Sequence, residues 1–204
     1  MHYTILTETQ RRILDMKLMI ASDIHGSAHY CRELMGAFER EKPDKILLLG
    51  DLLYHGPRNN LPGEYDTKKT AEMLNGIRKY VLCVRGNCDC EVDQMMLDFP
   101  IMAEYCLLYV NGRVIFATHG HVFNVTTPPA MNKGDILLHG HTHIPAWEEF
   151  GDGNVYINPG SVSIPKGGSS HSYMMLNEEG IFWKDLAGEI YHTESWSNIC
   201  AEKI

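Results

Sequence analysis

The sequence KLMIASDIHG at residues 17–26 combines a short apolar run with two metal-binding side chains. The run Lys17–Ser22 has the length and composition of a strand that is buried in a central sheet. Asp23 and His25 follow this run, and Gly26 permits a sharp turn after them. Open α/β sheets hold their functional sites in loops at the carboxyl ends of parallel strands. The stretch therefore predicts a strand that delivers a carboxylate and an imidazole to one site.

The same arrangement recurs four more times along the chain. The apolar runs are Ile46–Leu49, Val81–Val84, Val114–Thr118 and Ile136–Leu138. The metal-binding side chains that follow them are, in the same order, Asp51, Asn87, His119 and the pair His141 and His143. Any one of these side chains alone is equally typical of a turn or a helix cap. Five clusters at equivalent positions predict one shared pocket that holds metal.

The donor set indicates the kind of metal chemistry. Carboxylate, amide and imidazole groups suit Mn²⁺, Zn²⁺, Fe²⁺ or Co²⁺ better than soft copper-type sites. Side chains two residues apart on extended backbone share a face, so we expect Asp23 and His25 to reach one ion, and His141 and His143 likewise. Seven ligands exceed the needs of one ion. Two ions about 3.5–4 Å apart, bridged by a carboxylate such as Asp51, are a recurrent solution for phosphoester hydrolysis.

The apolar runs also predict the fold. A helical pattern between the first two runs, with Ser27 as its N-cap and Pro43 after its end, forms a strand–helix–strand unit typical of parallel pairing. Thr67–Asn75 is a second helical segment. Asn111-Gly112 between two apolar runs is a strong hairpin signal, and the later short runs favour mainly antiparallel pairing. The pattern predicts a mixed α/β protein in which helices cover sheets.

Composition narrows the class of protein. The chain has 204 residues, 44% hydrophobic and 22% charged residues and a net charge of −8. We expect residues 16–204 to form a single domain and residues 1–15 to be an extension outside the fold. The acidic balance argues against a stable nucleic-acid complex. No apolar run approaches the about 18 residues of a membrane span, and no signal peptide is recognisable, so a cytoplasmic location is expected. The six cysteines are expected to be reduced.

The clusters as a series resemble the calcineurin-like metallophosphoesterase superfamily over roughly residues 17–190. The segments GDLLYHGPRN (50–59), RGNCD (85–89) and NPGSVS (158–163) are similar to the small bacterial YfcE-type phosphodiesterases. The resemblance implies a four-layer α-β-β-α sandwich of two mixed sheets flanked by helices. It also implies two divalent ions, with Mn²⁺ preferred and Zn²⁺, Ni²⁺, Fe²⁺ or Co²⁺ as alternatives. One ion would take Asp23, His25 and His143, the other Asn87, His119 and His141, and Asp51 would bridge them.

One position departs from the wider superfamily. Many members have a histidine after the asparagine that protonates the leaving group, whereas this chain has Cys88, as in the YfcE-type branch. A neutral thiol is a poor substitute for an imidazolium at neutral pH. His121, His55 or a metal-bound water are alternative proton donors. Arg58 and His55, in the long loop after Asp51, are candidate substrate-binding residues, because a guanidinium suits a pair of phosphate oxygens.

The predicted function is hydrolysis of small-molecule phosphodiesters by a metal-activated hydroxide, with Asp51, Asn87, Cys88 and His121 in catalytic positions. A phosphomonoesterase, a cyclic-nucleotide phosphodiesterase and a non-catalytic scaffold of the same fold stay open as alternatives. The oligomeric state also stays open, since sheet edges could pair into a dimer or tetramer.

Overall fold

In the computed structural model, residues 16–199 are described, and the predicted extension 1–15 lies outside them. The helices are α1 (Ala28–Glu41), α2 (Thr67–Gly76), α3 (Glu91–Gln94) and α4 (Trp196–Ile199), with a 3₁₀ turn at Arg78–Tyr80. The strands are β1 (Leu18–Ala21), β2 (Lys45–Leu48), β3 (Val81–Cys83), β4 (Tyr105–Val110), β5 (Arg113–Thr118), β6 (Ile136–His139), β7 (Ala146–Phe150), β8 (Asn154–Asn158), β9 (Ser172–Leu176), β10 (Gly180–Asp185) and β11 (Ile190–Ser195).

The strands form two mixed sheets. The six-stranded sheet has the order β11-β10-β9-β1-β2-β3, and the five-stranded sheet has the order β4-β5-β6-β8-β7. In the first sheet β1, β2 and β3 are parallel, while β9 joins β1 antiparallel. Pairing in the second half is mainly antiparallel, as expected, but β5–β6 and β6–β8 are parallel. The long segment 119–135 between β5 and β6 supplies the crossover that parallel strands need.

Residues of β1 show how the layers are built. All four side chains are buried, because both faces of this central strand are covered. Leu18 and Ile20 contribute to the core between the two sheets. Met19 and Ala21 point to the opposite side and join the core beneath the helices. Full burial of a large apolar side chain contributes about 1.5–3 kcal/mol, so the alternation stabilises both interfaces at once.

The predicted fold class is confirmed. Helix α1 begins at the predicted cap, where the Ser27 hydroxyl accepts a hydrogen bond from the backbone N–H of Tyr30 at 3.3 Å. Helices α1 and α2 cover the six-stranded sheet. On the outer face of the five-stranded sheet, Phe123 from the segment 119–135, which contains no helix, packs against Phe116, whereas Leu107 and Tyr109 of β4 are exposed. None of the helices within residues 16–199 is both long and apolar enough to cross a bilayer.

A partly buried ion pair joins the helical layer to the sheet. Glu41, the last residue of α1, accepts hydrogen bonds from the Tyr173 hydroxyl at 2.7 Å and from the Lys184 ammonium at 2.6 Å. The side chains of Glu41 and Lys184 are each only 15% exposed. Burial alone would raise the pKa of Glu41, but the hydrogen bonds from Lys184 and Tyr173 outweigh it and lower the pKa.

Glu41→Gln should therefore lower the free energy of unfolding by about 1–3 kcal/mol near neutral pH. A carboxylate whose pKa is lowered in the folded state contributes fully above its unfolded pKa of about 4.3, and the contribution is lost as the pH falls through the folded value. The difference between wild type and variant in urea unfolding should thus shrink from about pH 7 to about pH 3. Glu39→Gln, at an exposed position on the same helix, is the control and should show no such difference.

Candidate metal centre

The predicted ligands meet at one edge of the molecule. Each follows a strand that runs parallel to its neighbour, so the carboxyl ends of strands from both sheets converge there. Asp23 and His25 follow β1, Asp51 follows β2, Asn87 follows β3, His119 follows β5, and His141 and His143 follow β6. The parallel pairing of β5 and β6 is what brings the last three into the same site as the ligands of the six-stranded sheet.

The backbone at these positions is unusual. Eight non-glycine residues of the described chain have a positive φ, and five of them are predicted ligands: Asp23, His25, Asp51, His141 and His143. The expectation that Asp23 and His25 share one face of an extended strand is therefore wrong. The same expectation is wrong for His141 and His143. The left-handed conformation turns each side chain inward, at a cost of about 1–3 kcal/mol per residue. Such strain persists only where the surrounding structure holds it.

Two glycines allow the loops after β2 and β3 to touch. A Cβ atom on Gly50 would overlap the backbone nitrogen of Gly86, and a Cβ atom on Gly86 would overlap the carboxylate of Asp51. The two clusters Gly50-Asp51 and Gly86-Asn87 therefore require glycine at their first position. The close approach also lets the backbone N–H of Cys88 donate to Asp51 Oδ1 at 2.8 Å.

Three histidines are oriented by backbone carbonyls. The Nδ1 atoms of His25, His119 and His143 each contact a carbonyl oxygen and so present Nε2 to the site. The carbonyls belong to Tyr54, Leu49 and Ile164, at 2.8, 2.6 and 2.7 Å in that order. His141 is different, because its Nδ1 faces the site and lies 3.1 Å from His119 Nε2.

The side-chain atoms form two groups joined by one carboxylate. In the first group Asp23 Oδ1 lies 3.5 Å from His25 Nε2 and 3.3 Å from His143 Nε2. In the second, His119 Nε2 lies 3.1 Å from Asn87 Oδ1. Oδ2 of Asp51 lies between the groups, at 3.7 Å from His25 Nε2 and 3.5 Å from His119 Nε2.

These atoms fit divalent cations. The Nε2 atoms of His25 and His143 face each other at 3.3 Å, where two lone pairs would repel without a proton or a cation between them. Asp23 Oδ1 is buried and accepts no hydrogen bond from the described residues. Donor atoms of Asp23, His25 and His143, and of Asp23, Asp51 and His119, lie within 4.8 Å of one another. Buried acceptors without donors are what a cation would satisfy.

The pKa values of the buried carboxylates and of His119 indicate that the site attracts positive charge. Burial would raise the pKa values of Asp23 and Asp51, but the neighbouring imidazoles keep both pKa values below the ordinary range. Burial would lower the pKa of His119, but its hydrogen bond to Asp51 and the nearby charges of both carboxylates raise it to about 9. The site thus holds ionised carboxylates that require adjacent positive charge.

One residue that positions the site was missed at the sequence level. Asp89 is buried and its carboxylate accepts hydrogen bonds from the backbone N–H groups of Asp51, Leu52 and Gly86 at 2.8, 2.9 and 2.7 Å. It therefore clamps the loop after β2 to the loop after β3. The feature of the sequence that could have indicated this role is the position of Asp89 two residues after Asn87, within one of the predicted ligand clusters.

The segment NPGSVS at residues 158–163 braces the remaining loops. The hydroxyls of Ser161 and Ser163 donate to the backbone oxygen of Asp23 at 2.9 and 3.1 Å. The Asn158 amide lies 2.9 Å from the backbone oxygen of Gly140, next to His141. These hydrogen bonds hold the backbone of the loops that carry Asp23 and His141.

A cavity of about 490 Å³ opens directly above the two groups. Asp51, Asn87, Cys88, His141 and His143 line it, and so does Arg58. The other predicted catalytic or substrate-binding residues are placed differently. His55 does not line the cavity, and its ring packs between Tyr54 and Tyr65. His121 is exposed beside the site, with its ring centroid 5.4 Å from that of His119. The roles assigned to these residues stay predictions.

Comparison with known proteins agrees with this geometry. The family model of the calcineurin-like phosphoesterase superfamily domain matches residues 16–180. The chain belongs to this superfamily. It is therefore a hydrolase that acts on phosphoric ester bonds, as predicted, and the family together with the His/Asp groups implies divalent metal.

Relatives place the chain within the superfamily. It is 48% identical to phosphodiesterase YfcE of Escherichia coli K12 over 164 residues, which cover 80% of this chain and 89% of that protein. The solved structure of YfcE, described as a phosphoesterase from E. coli, superimposes with a TM-score of 0.84 over 88% of this chain and 99% of that chain. Vacuolar protein sorting 29 from Cryptosporidium parvum has a TM-score of 0.57 at 19% identity, over 89% of this chain and 99% of that one, and so shares the fold.

Gly86→Ala should abolish most activity because the added methyl group displaces the Asp51 carboxylate. We expect a fall in phosphoester hydrolysis of more than about 100-fold, together with reduced metal content by elemental analysis. Gly36→Ala is the matched control. Nothing lies within 4 Å of a Cβ atom at Gly36, so this helical substitution should keep activity and raise stability by about 0.5–1 kcal/mol. Normal metal content and activity in Gly86→Ala would contradict the argument from close approach.

Proposed function

We propose that the protein is a phosphodiesterase with a dinuclear metal centre. Asp23, His25 and His143 would hold one ion, and Asn87, His119 and His141 the other. Asp51 would bridge the two. The observation that carries the proposal is the position of Asp51 Oδ2, which lies within 3.7 Å of a histidine nitrogen from each group. One carboxylate oxygen facing both groups is the arrangement that a shared ligand needs.

Bound divalent ions would supply a hydroxide nucleophile near neutral pH and offset the charge on the phosphoryl oxygens. The residues of the chain would orient the metal ligands and bind the substrate. Backbone carbonyls fix the ring tautomers of His25, His119 and His143 so that each presents a lone pair. The backbone N–H of Cys88 and the clamp formed by Asp89 hold Asp51 in place. Arg58 lines the cavity and would bind an anionic group of the substrate.

The choice of a diester over a monoester is supported by two observations. YfcE, the relative with 48% identity, is named a phosphodiesterase. In addition, Cys88 lines the cavity at the position where a histidine would protonate the leaving group. Burial, and then the charge of Asp51, raise the pKa of the Cys88 thiol, so it is a weak acid. Substrates with good leaving groups, such as aryl diesters, need least help from a proton donor.

Mn²⁺ is the proposed ion. Metal-free protein reloaded separately with Mn²⁺, Zn²⁺, Ni²⁺ or Mg²⁺ should hydrolyse an aryl diester faster than the matching aryl monoester, with Mn²⁺ the most effective. Asp51→Asn should lower this rate by more than about 100-fold, because even partners outside the first ligand shell contribute 10–100-fold. Asp44→Asn, at an exposed carboxylate that accepts one backbone hydrogen bond, is the control.

The outcomes of this screen separate the alternatives. Faster monoester hydrolysis would identify a phosphomonoesterase, and rapid hydrolysis of cyclic AMP would identify a cyclic-nucleotide phosphodiesterase. A protein that binds no metal and hydrolyses none of these esters would be a scaffold, and the proposal would be wrong. A cytoplasmic location and a homo-oligomeric state stay predictions that fractionation and light scattering would address.

Cys88→His should broaden the range of leaving groups. An imidazolium is a better acid than a thiol, so the variant should gain about 10²-fold or more on alkyl esters and much less on aryl esters. The measurement is the slope of log kcat/KM against leaving-group pKa, which should become shallower. Cys88→Ser, which supplies no acid near neutral pH, should keep the wild-type slope. An unchanged slope in Cys88→His would show that the proton comes from elsewhere.

A further inference from the structure

The cavity above the metal centre has a cationic rim that the proposed reaction does not fully use. Arg58 stands on the wall formed by the loop after β2, and Lys166 stands on the wall formed by the glycine-rich loop after the NPGSVS segment. Both side chains are exposed, and both line the cavity. A single phosphodiester carries one negative charge, whereas this rim offers two cations in addition to any bound metal.

The wall that carries Arg58 is held in place locally. The Asn59 amide donates to the backbone oxygen of His55 at 2.9 Å, and the backbone N–H of Asn59 contacts the Gly56 oxygen at 3.3 Å. At Gly56, where φ is +79°, an added Cβ atom would lie 3.2 Å from the Cys88 sulfur. The Arg58 wall therefore rests directly on the floor of the cavity.

The opposite wall is tied to a metal ligand. The backbone N–H of Lys166 donates to the backbone oxygen of His143 at 3.0 Å, and the neighbouring Ile164 oxygen contacts His143 Nδ1. The Lys166 oxygen accepts from the hydroxyl of Ser169 at 2.8 Å. Backbone hydrogen bonds thus fix the base of Lys166 relative to the metal site, while its ammonium group stays available.

Neither cation is neutralised within the described part of the chain. The Arg58 and Lys166 side chains form no ion pair or hydrogen bond with residues 16–199, whereas Arg32 and Lys184 pair with glutamates. Among the described residues that line the cavity, Asp51 is the only carboxylate. A protein of net charge −8 therefore surrounds this opening with unpaired positive charge, which attracts anionic ligands from solution.

We propose that Arg58 and Lys166 form a subsite for a second anionic group, so that the preferred substrates are phosphodiesters in which one ester arm carries a carboxylate or a phosphate. This inference rests on the proposed function. The cavity of about 490 Å³ has room for an ester arm beyond the reacting phosphoryl group, since sites of 300–1,000 Å³ typically hold ligands of drug size. Charge-assisted hydrogen bonds from two fixed walls would select an arm of this charge.

The test uses aryl diesters with one constant p-nitrophenol leaving group and a second arm that is methoxyethyl, carboxymethyl or phosphoethyl. Because the leaving group is constant, differences in kcat/KM report the second arm. Wild-type enzyme with Mn²⁺ should prefer the anionic arms over the neutral arm by about 10-fold or more. Lys166→Ala and Arg58→Ala should each reduce this preference about 5–10-fold, and Lys166→Glu should reverse it in favour of an aminoethyl arm. The carboxymethyl and phosphoethyl arms distinguish the two anions.

Lys68→Ala, which removes an exposed cation that does not line the cavity, is the matched control and should leave the preference unchanged.

Calorimetry supplies a readout without turnover. Metal-loaded wild type should bind phosphoglycolate about 10-fold more tightly than ethyl phosphate, and Lys166→Ala should lose that difference. Diester hydrolysis with no preference for anionic arms, or a preference that survives both alanine substitutions, would overturn the subsite alone. Absence of diester hydrolysis would overturn the proposed function, and calorimetry would then decide the subsite.

Discussion

Two buried carboxylates, Asp23 and Asp51, face a ring of imidazoles, and the rest of the structure is arranged to keep them there. A buried charge without a partner costs several kcal/mol even after relaxation of the protein. The backbone N–H groups of His141 and Cys88 donate to these carboxylates and reduce this cost, but Asp23 Oδ1 has no donor in the described structure. Divalent cations would complete the balance of charge. The fold itself therefore creates a buried site whose negative charge favours the binding of cations.

Holding these groups together requires unfavourable backbone geometry. Asp23, His25, Asp51, His141 and His143 all adopt positive φ, which side chains with a Cβ rarely do. Hydrogen bonds from several parts of the fold stabilise this backbone conformation. Asp89 accepts three backbone hydrogen bonds beneath the loop of Asp51, and two serine hydroxyls donate to the backbone of Asp23. Central strands buried on both faces supply the rigid base from which all these loops extend.

The cavity carries a local charge opposite to that of the whole chain. The sequence has eight more acidic than basic residues, yet the rim of the cavity holds Arg58 and Lys166, and Asp51 is the only carboxylate among the described residues that line it. General acidity makes adhesion to nucleic acids unfavourable, while the cationic rim and the bound metals would admit small anions. In the two proposals, the ligand loops at the floor of the cavity would carry the chemistry, and the subsite on the two walls would carry the selectivity.

Much of this protein was determined by the sequence alone, because its signals are local. Apolar runs followed by Asp, His or Asn identified five strands, β1, β2, β3, β5 and β6, and all seven proposed ligands, and Ser27 and Asn111-Gly112 marked a helix start and a hairpin. Other features depend on residues distant in the chain. Parallel pairing of β5 with β6, the inward turn of His25 on left-handed backbone, the clamp by Asp89 and the approach of Lys166 to the cavity were decided only by tertiary structure. The physical reason is that each feature depends on contacts between segments that are distant in the sequence, and the residue pattern within one segment does not indicate its neighbour in space.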